Sequence, residues 1–147
     1  MSEHRTRLEW NRNAEEPFDY EHYSRDHRVS METGLVLPIS AAPAYRGNPS
    51  LTNPEELLVA ALSSCHMLTF LAIAARKGIV VERYEDEAVG HLERPSEGPM
   101  QVTRCTLRPR ITFGANGPDA ATLASLHEQA HRGCFIANSV KTIVTIE

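Results

Sequence analysis

Cysteine is scarce in this 147-residue sequence and is not arranged in pairs. The three present, Cys65, Cys105 and Cys134, form no C-x-x-C, which excludes a zinc ribbon and a thioredoxin-type motif, and their odd number argues against a structural disulfide framework. What remains is a catalytic pair that cycles between thiol and disulfide, or ordinary buried thiols. An excess of one charge sign is missing as well: 15 Lys and Arg are interspersed with 19 Asp and Glu, so neither a nucleic acid nor an anionic membrane is an expected partner. The opening residues, Ser2 to Arg7, hold no apolar core of a secretory signal, and a cytoplasmic location is expected. No phosphate-cradling glycine loop, dinucleotide fingerprint or Ser-His-Asp arrangement is present, so no bound cofactor is expected. With 41% hydrophobic and 23% charged residues, the length suits a single domain over residues 1–147.

The dominant feature is one uncharged stretch. Residues 53–78 read as a helix, with Asn53 able to cap the first free amides, Pro54 suited to the first helical position, and Gly78 following Arg76 and Lys77 at the end. Between Leu57 and Ala75 there is no Asp, Glu, Lys or Arg, so apolar or small residues surround the whole circumference. A helix of that kind must be covered on every side. A membrane span is one way to do that, but Ser63, Ser64, Cys65 and His66 occupy its centre. The other is a central core helix, with sheet on one side and, in so small a chain, a second copy of the protein on the other.

Around it the pattern is mixed. Residues 5–12 alternate weakly as an edge strand, 13–17 form a turn, and two short β-rich runs flank Glu32, Thr33 and Gly34 as a hairpin with Pro38 near a strand end. Residues 41–52, rich in Pro, Gly and small side chains, make a loop that carries one charge, Arg46. Residues 79–92 and 100–113 read as two antiparallel strands joined by a turn at 95–99. A second helix from Asn116–Asp119 to about Arg132, with Leu123, Leu126 and Ala130 on one face, leads to a last strand at 142–146. The class is α+β.

Cys65 could be a small buried hydrophobe. A reactive thiolate at mid-helix needs outside help, because the helix N-terminus is about eleven residues away and apolar burial raises a thiol. His66 is poorly placed to help, since adjacent helical side chains diverge by about 100°. Arg46 is the better candidate cation, with Arg25 and Arg28 behind it. Glu55 and Glu56 suit a helix N-terminus, and Glu56 can complete a capping box with Asn53. Glu55 lies ten residues before Cys65, about 15 Å along a straight helix. Only a bridging arginine, or the Glu55 of a partner subunit, brings it to a shared site. His127, His131 and Cys134 form H-x3-H-x2-C, whose i, i+4 histidines can chelate a metal with Cys65 as a further ligand, although histidines near a helix C-terminus also suit the dipole. Met67, Leu68 and Phe70 surround Cys65 in sequence and could favour lipophilic substrates or be plain core. Cys105 reads as structural.

Taken together, Asn53-Pro54-Glu55-Glu56-Leu57, Cys65 within Ala-Leu-Ser-Ser-Cys-His, and Cys134 within Ala-His-Arg-Gly-Cys closely resemble the OsmC/Ohr family of osmotically induced and organic hydroperoxide resistance proteins. The resemblance covers roughly residues 24–147. It implies antiparallel sheets wrapped around a long central helix in an intertwined homodimer. It further implies a thiol peroxidase of organic, lipophilic hydroperoxides serving oxidative-stress defence. Cys65 would be the attacking cysteine, Cys134 the resolving one, and Glu55 would hold an arginine that activates the thiolate. Arg46 resembles that arginine in the OsmC branch, while Arg25 is similar to the one in the Ohr branch. The implied reductant is a dithiol, such as dihydrolipoamide on a lipoylated protein. Phe135 stands where the family often has Pro, and His66 where an aromatic residue is usual, which implies a divergent OsmC-like branch. The competing reading is a non-redox member that binds a lipophilic ligand, or a metal at His127, His131 and Cys134.

Overall fold

The computed structural model describes every residue except Asn116. The expected start of the second helix at that position therefore lies outside the described residues. The chain packs as two units, Met1–Leu57 and Leu58–Glu147.

In the first unit, β1 (Thr6–Glu9), β2 (His27–Met31) and β3 (Val36–Ile39) form an antiparallel sheet with β1 at its edge. The hairpin falls at the expected place: Met31 N–H donates to Leu35 O and Gly34 N–H to Met31 O. Trp10, Phe18 and Tyr23 pack together with ring centroids 5.5 to 6.3 Å apart, and Trp10 Nε1 donates to Ser24 O, which organises the segment between β1 and β2. The loop from Ser40 to Thr52 is tied at its base, where Ser40 N–H donates to Thr52 O and Ser40 Oγ accepts from Asn48 N–H.

The long helix α1 (Pro54–Arg76) has the predicted caps. Asn53 Oδ1 accepts from Glu56 N–H at 2.9 Å, but the reverse arm of the capping box differs, because the Glu56 carboxylate takes the Thr52 hydroxyl at 2.7 Å. At the other end Gly78, with φ of 70°, places Ile79 N–H on Ala74 O and Gly78 N–H on Ala75 O, a Schellman closure that only a residue at ease with positive φ accepts readily.

The second unit carries most of the core. β4 (Val81–Asp86), β5 (Val89–Glu93), β6 (Gln101–Leu107) and β7 (Pro109–Phe113) replace the two long strands expected at 79–92 and 100–113. Each breaks once, so β4 pairs with β7 and β5 with β6 in two separate sheets. The break has a local cause: the Asp86 carboxylate accepts Arg108 N–H at 2.6 Å, withdrawing it from the ladder, and Pro109 has no N–H to give. The helix α2 (Ala120–Gly133) is capped by Asp119, whose side chain accepts from Thr122 N–H at 2.7 Å. β8 (Ile143–Ile146) runs parallel to β6, so this sheet is mixed and the expectation of wholly antiparallel sheets is corrected. A parallel partner needs a long crossover, which β7 and α2 provide.

The expectation that α1 is covered on all sides is not met within one chain. Its fully buried residues, Leu62, His66, Phe70 and Ala74, form a single stripe four residues apart. Leu62 packs with Cys105 and Leu107 under the mixed sheet, while Phe70 and Ala74 pack with Leu126 and Ala130 of α2 and with the β4–β7 pair. On the opposite side Ala60, Ser64, Leu68 and Ala72 are exposed. By length and composition α1 could cross a membrane, with a mean hydropathy of 2.0, yet its buried stripe is the spine of a protein core.

Candidate active site

Cys65 lies on the flank of α1, between the buried stripe and the exposed face, and is half-buried. Thr69 donates its hydroxyl to Cys65 O at 2.8 Å. Cys134 is the residue at which α2 ends, and it is buried, with 1% exposure. The end of α2 can lie close against α1 because its last residue is Gly133, where a Cβ would stand 3.1 Å from Thr69 Cγ2. The two cysteines are thereby brought together: both are free thiols, and that of Cys134 interacts directly with that of Cys65. Burial raises the Cys134 thiol above its ordinary value and the interaction with Cys65 adds to this, while the backbone amides of Ala137 and Ile136 pull it back. Cys105 is fully buried in the core with Leu62 and Leu107 and is likewise raised by burial.

His66, next in sequence to Cys65, turns inward. Its Nε2 lies 3.1 Å from His127 Nδ1 of α2, and the two rings are within 6° of parallel. Among the described residues His66 Nδ1 and His131 Nδ1 are buried without a partner. Burial, then the neighbouring His127 and His131, push His66 down to about 4, against a small opposing pull from Asp86; His127 is lowered by burial too. The folded value lies below the unfolded 6.5, so the neutral ring is favoured by the fold. That contribution is complete above pH 6.5 and is lost as pH falls from 6.5 towards 4. The melting temperature is therefore expected to drop over that interval, and the His66→Gln variant, which cannot titrate, to show a smaller drop, with the part due to His127 remaining. A pH-independent melting temperature in the wild type would show that the buried ring is not the titrating group.

The competing metal reading at His127, His131 and Cys134 gains no support from the structure. Among the described residues no group of three or more His, Cys, Asp or Glu could hold a metal ion, and His127 spends its Nδ1 on His66. Phe70, named beside Cys65 as a possible substrate contact, is wholly buried in the core, whereas Leu68 is 60% exposed.

The remaining candidates belong to the first unit. Arg46 has a left-handed backbone, with φ of 62°, and its guanidinium pairs with Glu21 and sits over the Tyr20 ring. Arg25 donates to the backbone carbonyls of Tyr23 and Tyr20 and lies 3.8 Å from the Tyr23 ring centroid. Arg28 is exposed on β2. Glu55, half-buried in the first turn of α1, shares with Arg25 an apolar cleft of about 580 Å³ that also has Trp10, Phe18 and Tyr45 in its wall. The motif resemblance links Glu55 to an arginine, with Arg46 preferred and Arg25 as the other candidate, but the cleft that Glu55 and Arg25 share is not readable from the sequence, because the aromatic residues that build it are spread across the N-terminal segment.

The family model for OsmC-like protein matches residues 47–147. The chain belongs to the OsmC/Ohr family. An OsmC-like protein of unknown function from Vibrio cholerae is 44% identical and superposes with a TM-score of 0.94 over 100% of this chain and 99% of its own. The uncharacterized protein YmaD of Bacillus subtilis is 26% identical over 127 residues, 84% of either chain, and the peroxiredoxin OsmC of Escherichia coli is 25% identical over 121 residues, 81% of this chain and 82% of its own. The two helices with mixed and antiparallel sheets are thus an α+β OsmC-like fold. For an OsmC/Ohr protein the adjacent thiols support cysteine-based redox chemistry of the family's general type.

Proposed function

We propose that this chain is a thiol-dependent peroxidase that reduces organic, lipophilic hydroperoxides to alcohols in oxidative-stress defence. The observation that carries the reading is the unequal exposure of two interacting thiols: Cys65 is half-buried and open to a reagent, Cys134 is buried beside it. The Cys65 thiolate attacks the terminal oxygen of ROOH, the O–O bond breaks, and the alkoxide leaves to take up a proton as alcohol. Cys65 becomes a sulfenic acid. Cys134 then attacks its sulfur, water departs, and a Cys65–Cys134 disulfide remains, to be reduced by an external dithiol of the dihydrolipoamide kind.

An arginine held by Glu55 stabilises the thiolate and the developing alkoxide. The motif resemblance assigns this to Arg46; the cleft shared with Glu55 favours Arg25, and parallel Arg25→Ala and Arg46→Ala variants decide between them. The apolar wall of that cleft, in the size range of small-molecule sites, supports a lipophilic substrate. The exposed, uncharged face of α1 at Ala60, Ser64, Leu68 and Ala72 supports a homodimer in which a second copy wraps the central helix of a single 1–147 domain. A cytoplasmic location follows from the same reading.

The deciding experiment is the protein mass before and after one equivalent of tert-butyl hydroperoxide. The expected result is a loss of two hydrogens, with Cys65 and Cys134 linked in the peptide map. Persistent free thiols would overturn the peroxidase reading in favour of a lipophilic-ligand binder.

A further inference from the structure

The two cysteines of the proposed exchange stand on different helices, so their approach depends on how α2 is held against α1. Among the described residues, apart from the interaction of the two thiols themselves, one side-chain hydrogen bond joins those helices, His66 Nε2 to His127 Nδ1. It is placed where it can govern the exchange. His66 follows Cys65 directly in α1. His127 precedes Cys134 by seven residues, two turns and about 10 Å of α2, and so projects from the same face of that helix. The rings are nearly parallel, with centroids 5.4 Å apart, and Phe70 backs His127 at 4.7 Å.

Packing alone does not account for a histidine there. His66 is 1% exposed and its Nδ1 is buried with no partner among the described residues, a standing penalty that a leucine or phenylalanine would avoid. What an apolar residue could not supply is direction. A hydrogen bond adds a directional constraint on the rotation and axial register of α2 beyond what non-directional apolar contacts supply. Disulfide formation is sensitive to that register, since the two Cα atoms must lie within about 4.4 to 6.8 Å and the sulfurs must meet near a right-angle dihedral.

We propose that the buried His66–His127 hydrogen bond is a positioning clasp that holds the end of α2 at the geometry from which Cys134 closes on an oxidised Cys65. Neither histidine touches substrate. Both act through the placement of Cys134. The inference rests on the redox reading of the cysteine pair, and its test separates the two.

The probe is the reduced protein mixed rapidly with the aromatic disulfide 5,5′-dithiobis(2-nitrobenzoate). The Cys65 thiolate attacks the reagent's S–S bond, releasing one thionitrobenzoate and leaving a mixed disulfide. The Cys134 thiolate then attacks the Cys65 sulfur of that mixed disulfide, releasing the second thionitrobenzoate as the Cys65–Cys134 bond forms, and the two thiol protons pass to buffer. The second release reports closure without any peroxide chemistry. In His66→Leu and His127→Leu the first release is expected within about twofold of wild type and the second slowed at least tenfold. His66→Gln, whose terminal amide reaches the place of Nε2, is expected to stay within threefold of wild type. His66→Asn, polar but too short to reach His127, is expected to behave like the leucine variants, which keeps the test open if those fail to fold. An unchanged ratio of the two releases in folded variants, or a glutamine no better than asparagine, overturns the clasp. If closure depends on the clasp but tert-butyl hydroperoxide leaves both thiols untouched, the clasp stands and the peroxidase reading falls.

Discussion

The Cys65→Ser variant is expected to lose hydroperoxide turnover by at least about a thousandfold, because a serine hydroxyl at neutral pH is neither ionised nor a comparable nucleophile. Its fold should be intact, since the substitution is nearly isosteric and the position is half-buried rather than part of the core stripe. Cys134→Ser should behave differently. The first oxidation would proceed at close to the wild-type rate, giving one equivalent of alcohol per chain and a sulfenic acid on Cys65 that dimedone traps. Turnover with a dithiol would then be slow and the enzyme prone to overoxidation. Assays with tert-butyl hydroperoxide and a lipoyl reducing system distinguish the two variants. Undiminished turnover in Cys65→Ser sinks the assignment of the attacking cysteine, and loss of the initial burst in Cys134→Ser sinks the division of labour.

That division was legible in the sequence only through the paired motifs, because nothing in periodicity brings residue 134 to residue 65. What the residues did disclose was local. Asn53, Pro54 and Gly78 delimit α1 because each acts on amides or carbonyls within one turn of itself, and the caps stand where expected. The β2–β3 hairpin is local in the same way. The breaks at Asp86 and Arg108 were not legible, since they arise from a side chain reaching a backbone amide 22 residues away. Nor could the sequence foresee which side of an all-apolar helix would be buried, because uniform composition carries no phase; only the contacts with β6 and α2 select Leu62, His66, Phe70 and Ala74. In the sequence His66 stands beside Cys65 as a poorly placed cation and His127 as a possible metal ligand, yet in the structure each has the other as its partner. The spacing between them, 61 residues, lies beyond any local rule. The shared cleft of Arg25 and Glu55 is a third case of the same kind, assembled from side chains that chain order keeps apart.

Phe70→Ala is the substitution expected to cost the most stability, about 3 to 5 kcal/mol, the range for removing a fully buried aromatic ring. Phe70 is completely buried where α1, α2 and the β4–β7 pair meet. Its ring packs 5.8 Å from Tyr84 and 4.7 Å from His127, with Leu126 and Ala130 beneath it. With Ile111 of β7 packed on the same cluster, those neighbours belong to three different elements, so the void left behind cannot close by a single rotamer change. At about 2 to 4 °C per kcal/mol for a chain of this size, the melting temperature should fall by roughly 10 °C. Urea unfolding is the cleaner measure: the midpoint should move while the slope stays at the wild-type value, because the surface exposed on unfolding hardly changes. Phe70→Leu, which keeps most of the volume, should cost much less. The pair also separates two roles for this residue. A pocket wall would raise KM for bulky hydroperoxides and leave the urea midpoint in place, whereas a core keystone lowers the midpoint and leaves the reaction of the folded fraction with small hydroperoxides within a few fold. Burial of the whole ring against three elements predicts the second outcome.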